Sequence, residues 1–159
     1  MLVVSLKSSK KRIKLFLLMG LILLFIVFTF IFFIPNQQTK AICEKGKYKL
    51  TAGTNQERIN FLSQFGWQVN NKPISQQDIV VPKKFEKEYE DYNKIQKKQG
   101  LDLKKFEGKT CKKIVYFITN YPEKAEEIKA TLLIRSNKVI GGDISSSKYK
   151  GLMHGFLKP

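Results

Sequence analysis

Asp143, three serines at 145, 146 and 147, and His154 bring the residue types of a nucleophilic triad into one short stretch near the C-terminus. Such a triad needs a serine hydroxyl, an imidazole to take its proton and a carboxylate to orient that imidazole. No Gly-x-Ser-x-Gly elbow surrounds any of the three serines, so residue type alone points to hydrolysis and spacing does not. The plainer reading is a strand end and turn. Gly141-Gly142-Asp143 offers backbone amides to an anion, yet it lacks the Gly-Lys-Ser/Thr of a phosphate loop and the Gly-x-Gly-x-x-Gly of a dinucleotide fold. A β-bulge fits the glycine pair better.

The chain has 159 residues with 29 Lys+Arg, 13 Asp+Glu, one His and two Cys. A closed zinc site needs four ligands of Cys or His type, so no metal or other cofactor is expected. The densest basic stretch holds Lys97, Lys98, Lys104, Lys105, Lys109, Lys112 and Lys113, with Asp102 and Glu107 between them. Such a stretch can hold an anionic polymer by unspecific attraction. Arg, whose planar fork recognises phosphate bidentately, occurs beyond the N-terminal segment only at positions 58 and 135. The lysines therefore read first as a solvated surface, and with Asp143 and His154 they form the candidate binding residues. No catalytic set is complete.

These residues need elements to position them. From Leu15 to Ile34 twenty residues pass without a charge, and Pro35 closes the run. That length predicts a transmembrane signal-anchor, since about 20 helical residues cross a hydrocarbon core of about 30 Å. Lys7, Lys10, Lys11, Arg12 and Lys14 precede it, which predicts a cytoplasmic N-terminus, an extracytoplasmic C-terminal domain and the lipid bilayer as first partner. The expected organisation is a basic tail over 1–14, the anchor over 15–34, a tether over 35–53 and a folded domain over 54–157.

Beyond the anchor, 24 Lys+Arg face 13 Asp+Glu, a net +11. Thr54 and Glu57 form a capping box that starts a helix, and Gly66 ends it. Trp67 to Val69 reads as a short strand with Trp67 in the core, and 79–81 as a second extended piece. Pro82 suits the first turn of a second helix running to Gln99, with Phe85, Tyr89, Tyr92 and Ile95 as its apolar stripe. Leu101 to Phe106 reads as a compact turn over the core. Residues 113–119 and 128–135 read as strands, and Ser136-Asn137-Lys138 as a hairpin turn into Val139-Ile140. The fold class is α+β, with an N-terminal transmembrane helix and two helices on one face of a small antiparallel sheet. Cys43 and Cys111 would staple the tether to the sheet if they paired, a separation that sequence does not fix.

The runs TNQERINFLSQFGWQV from Thr54, VPKKFEKEYEDYNKIQKKQGLDLKKFEGK from Val81, YFITNYP from Tyr116 and LLIRSNKVIGGDISSSKYKGLMHGF from Leu132 resemble domain-of-unknown-function family 4830. The resemblance spans residues 54–156. It implies a folded domain from a set of small proteins of Gram-positive bacteria, often N-terminally anchored, and carries no established activity or catalytic residues. The expected function is a membrane-tethered, non-enzymatic binding or interaction domain at the outer face of the cell membrane. Its expected partner is an anionic envelope polymer or another envelope protein. An envelope hydrolase using His154, Asp143 and a serine is the alternative, and reversed topology would suggest nucleic-acid binding.

Overall fold

The computed structural model describes residues 10–33, 40–44, 46–122, 127–148 and 151–159, in two compact units that divide between residues 37 and 38. The first unit contains helix α1, Lys10–Phe33. Its side chains are described from Lys14 to Phe28, and all are exposed. Among the described residues no helix is long and apolar enough to cross a membrane. The expected transmembrane helix is corrected accordingly. The basic tail before Lys10 and the segment 34–39 lie outside the described residues.

The second unit is α+β. A hairpin of β1 (Lys40–Cys43) and β2 (Gly46–Lys49) opens it, followed by α2 (Asn55–Ser63), β3 (Ser75–Val80) and α3 (Lys87–Lys98). A 3-10 turn over Leu103–Phe106 leads into β4 (Thr110–Phe117), β5 (Ile128–Arg135), β6 (Lys138–Ser146) and the two-residue β7 (Met153–His154). The last five strands make one antiparallel sheet in the order β3-β4-β5-β6-β7.

Local chemistry explains most boundaries. Thr54 Oγ1 accepts from Glu57 N while the Glu57 carboxylate accepts from Thr54 N, the capping box in full. Gly66 supplies the positive φ of 81° after the helix. Ser136 and Asn137, at φ 49° and 60°, form the two-residue turn whose twist suits a hairpin. The expected second helix starts later than Pro82. Val81 N donates to Lys109 O and Val81 O accepts from Gly108 N, which keeps Val81 out of a helix, and α3 begins only after Glu86, its N-cap residue. Trp67 to Val69 contributes an isolated bridge, Val69 to Ile118, rather than a strand.

Alternation along the strands divides the core into two layers. One face carries Ile114, Tyr116, Leu132, Ile134, Val139 and Ile144, packed with Phe61, Leu62, Phe65, Trp67 and Phe156. The other carries Cys111, Leu133 and Ile140, packed with Val81, Leu103 and the α3 side chains Tyr89 and Tyr92. The two helices therefore cover opposite faces, a second correction to the expected single-faced packing. The hairpin packs on the first layer through Ala41 and Tyr48, which are buried there with Leu50. A bulge decides who faces where. Leu133 pairs Gly141 while Ile134 pairs Val139, so Ile140 is the extra residue. It shifts the alternation by one and lets Val139 and Ile144, five apart, point into the same layer.

Candidate functional site

Strand alternation parts Asp143 from His154. Asp143 pairs Thr131 across the sheet and points to the α3 face, where Tyr92 Oη donates to its Oδ1 at 2.8 Å. Ser145, two residues on, shares that face and bonds the same carboxyl. His154 pairs Ile144 and so belongs to the opposite face. Its Nε2 lies 3.4 Å from Tyr121 Oη and its Nδ1 2.6 Å from Gly155 O. Trp67 stacks on Tyr121 at 5.6 Å, and the His154 ring leans on both. Trp67 itself is buried, donating from Nε1 to Phe156 O at 2.6 Å, with Lys158 Nζ 4.8 Å from its ring centre. The sheet thus separates His154 from Asp143 and Ser145, and Ser147 Oγ donates to Glu127 O.

Asp143 is 4% exposed, and burial pushes its carboxyl above the usual range, opposed by the Ser145 and Tyr92 hydrogen bonds and the charges of Lys113 and His154. The Tyr92 hydroxyl is pushed well up, first by burial and then by Asp143. A carboxyl whose folded pKa exceeds its unfolded value holds its proton more tightly when folded. Its contribution is complete below the unfolded pKa and is lost as pH rises through the folded one. Asp143→Asn keeps an oxygen for Tyr92 and removes the desolvated charge. It is expected to raise stability at pH 7 and to give no gain at pH 3. Chemical denaturation at the two pH values checks this; equal loss at both would refute it.

The seven candidate lysines do not form one patch. Lys112 and Lys113 alternate to opposite faces of β4, Lys112 standing across from Asp78 and Lys113 half-buried near Asp143. Lys104 Nζ is occupied by Glu90 at 2.6 Å and lies 5.8 Å from the Phe85 ring centre. Lys97 and Lys98, at the end of α3, are exposed; Lys97 and Lys105 both act on the Asp102 carboxylate. Lys105 and Lys109 are exposed around the 3-10 turn. The fold adds a lysine pair that sequence order hides. Lys83 packs over Gly108, because Val81 is bonded to Gly108 and Lys109, and exposed Lys84 follows it. Lys83 is thereby brought beside Gly108, the neighbour of Lys109, with Lys84 and Lys105 within a few residues along the two segments.

Cys43 and Cys111 are both free thiols. Cys43 packs against one core layer and Cys111 lies in the other, on opposite sides of the sheet, so the stapling disulfide is absent. Among the described residues no cluster of His, Cys, Asp or Glu could hold a metal ion. A cleft of about 430 Å³ runs between β2 and α2, lined by Lys49, Thr51, Glu57, Asn60, Phe61 and Gln64. Three of its polar side chains are engaged already: Gln64 bonds both backbone groups of Lys49, Glu57 caps α2 and Asn60 accepts from Gln56.

The residues that sequence reasoning missed are glutamines. Gly142 N donates to Gln96 Oε1 at 2.8 Å, and Gln99 Nε2 donates to Gly142 O at 3.1 Å. Phe156 N donates to Gln99 Oε1 at 2.6 Å. Gln96 of α3 and Gln99, the residue that follows the helix, thus do for β6 at Gly142 what a neighbouring strand would do. Leu50 O and Ala52 N serve the start of β6 in the same way, bonding Val139 N and Asn137 O.

A five-stranded antiparallel sheet with one helix on each face defines a small α+β domain. The chain belongs to the family described as Domain of unknown function (DUF4830), which it matches over residues 61–144. No curated protein and no solved structure matches it.

Proposed function

We propose that residues 38–159 form a non-enzymatic binding domain that holds an anionic polymer at the corner of Lys83, Lys84, Lys105 and Lys109. The observation that carries the reading is that Lys83 packs over Gly108, next to Lys109, because the Val81–Lys109 and Gly108–Val81 hydrogen bonds join two lysine-bearing segments some twenty residues apart. Lysine ammonium groups are hydrated point charges without a fixed fork, suited to a flexible run of negative charge rather than to one oriented phosphate. Attraction of this kind is long-ranged at low salt and falls within a Debye length of about 10 Å at 0.1 M.

The test uses inorganic polyphosphate as probe. Each exposed contact contributes about 0.2–1 kcal/mol, so changing all four lysines to Gln should weaken binding on the order of tenfold at low salt. Changing Lys40, Lys47, Lys49 and Lys72 to Gln removes the same charge elsewhere and should cost much less. Equal losses in the two variants would reduce the effect to net charge and refute the corner.

A further inference from the structure

The two edges of the sheet are treated differently. The outer side of β6 is covered from Asn137 to Ser146 by the Leu50–Ala52 segment, by Gln96 and Gln99, and by β7. At the other edge β3 pairs only with β4 among the described residues, and Ser75 to Asp78 and Val80 are exposed. Val81 N on Lys109 O sets the parity at the C-terminal end, so Gln76, Asp78 and Val80 turn their backbone groups outward, whereas Ile74 N bonds Val115 O on β4 and offers the open edge its side chain. An open edge of this kind is a template for another strand. Lysine commonly guards such edges, yet Ser75–Val80 contains none, and its single charge is Asp78. Ile74 and Val80, at the two ends, are among the few exposed large apolar side chains of this unit, 43% and 59% exposed.

We propose that β3 pairs antiparallel with β3 of a second copy, about a two-fold axis at Gln77. The strand is self-complementary in this register. Gln77 faces the second copy's Gln77, Asp78 faces Gln76, and Val80 falls opposite Ile74, so both apolar ends are covered. Parity fixes the alternatives: a two-fold axis through the sheet must pass through a residue for side chains to keep their faces. An axis at Asp78 sets two carboxylates against each other and brings Pro82, which has no N–H, opposite Ile74. An axis at Gln76 leaves Val80 opposite Lys72. Such pairing closes as a dimer, because it is isologous and the far edge of each sheet is already covered. Six residues a side fall below the area of a standard stable interface, about 1,200–2,000 Å², so the dimer is weak and is best read by trapping.

Facing residues that do not bond each other lie about 4.5 Å apart at Cα, within disulfide reach. The full chain carrying Cys43→Ser, kept in mild detergent because α1 exposes large apolar side chains, is therefore oxidised with one added cysteine at a time. Gln77→Cys should form a covalent dimer about tenfold faster than Asn60→Cys on exposed α2, and faster than Gln76→Cys or Asp78→Cys. Adding Val80→Lys should slow trapping several-fold while Trp67 fluorescence reports an intact fold. Equal rates at positions 77 and 60 would overturn the pairing and leave an extended segment of another protein as occupant of the edge. Fastest trapping at 76 or 78 would overturn the register.

Discussion

Gln99→Ala should lower the stability of the folded unit by about 3–5 kcal/mol, because a buried polar group left without a partner costs about 1–3 kcal/mol and this change strands several. Phe156 N loses its acceptor and Gly142 O its donor, and Gln96 loses the Gln99 Nε2 contact at 3.2 Å. All of these groups are buried, so water does not replace the lost bonds. The effect spreads, since Phe156 also receives the Trp67 indole N–H and packs on Phe61 and Phe65. For a unit of this size the loss corresponds to a fall in Tm on the order of 10–20 °C. The only tryptophan sits in the network, so its fluorescence reports the unfolding directly. Gln64→Ala is the comparison, because Gln64 bonds the exposed backbone of Lys49; it should cost about 1 kcal/mol or less. A Gln99→Ala protein within 1 kcal/mol of the parent would show that the glutamines do not complete the sheet.

Gly142→Ala should be as damaging for a different reason. A Cβ at this position would lie 2.2 Å from Thr131 O and 2.5 Å from the Phe156 ring, with φ at 155°. The carbonyl belongs to β5 and cannot move aside without opening the ladder on both sides. Overpacking of this sort costs about 1–3 kcal/mol where side chains can shift and more where backbone is struck. We expect at least 3 kcal/mol, or failure to accumulate as folded protein. Gly46→Ala isolates the backbone contribution: φ there is 104° but nothing lies within 4 Å, so about 1–2 kcal/mol is expected. Thermal unfolding of the two variants side by side separates collision from strain. Similar losses would mean that the close approach of β5 and β6 is not what selects glycine.

Local signals were legible wherever their partners lay close in sequence. The Thr54–Glu57 capping box, the strands around 113–119 and 128–135 and the turn at Ser136-Asn137 all follow from residues within a few positions of one another. The pair Gly141-Gly142 signals a bulge or a close backbone approach, and the structure has both: Ile140 is the extra residue, and Gly142 lies against the Thr131 carbonyl. Long-range partners were not legible. Gln96 and Gln99 look like solvated helix positions until Gly142 and Phe156, more than forty residues on, are brought against them. The hairpin over Lys40–Lys49 is too short and too rich in lysine to announce that Tyr48 and Ala41 are core. The same logic divided the candidate site. Sequence order placed Asp143 near His154, and one step of strand alternation parted them; Lys83 and Lys109 are distant in sequence, and one strand pairing joined them.

Lysine acetylation footprinting of the full chain, with and without inorganic polyphosphate, tests the lysine corner most directly because it locates the contact. The account predicts protection of Lys83, Lys84, Lys105 and Lys109, and little change at Lys40, Lys47 and Lys49 on the hairpin. Uniform protection of all seven, or protection confined to the hairpin, would contradict it.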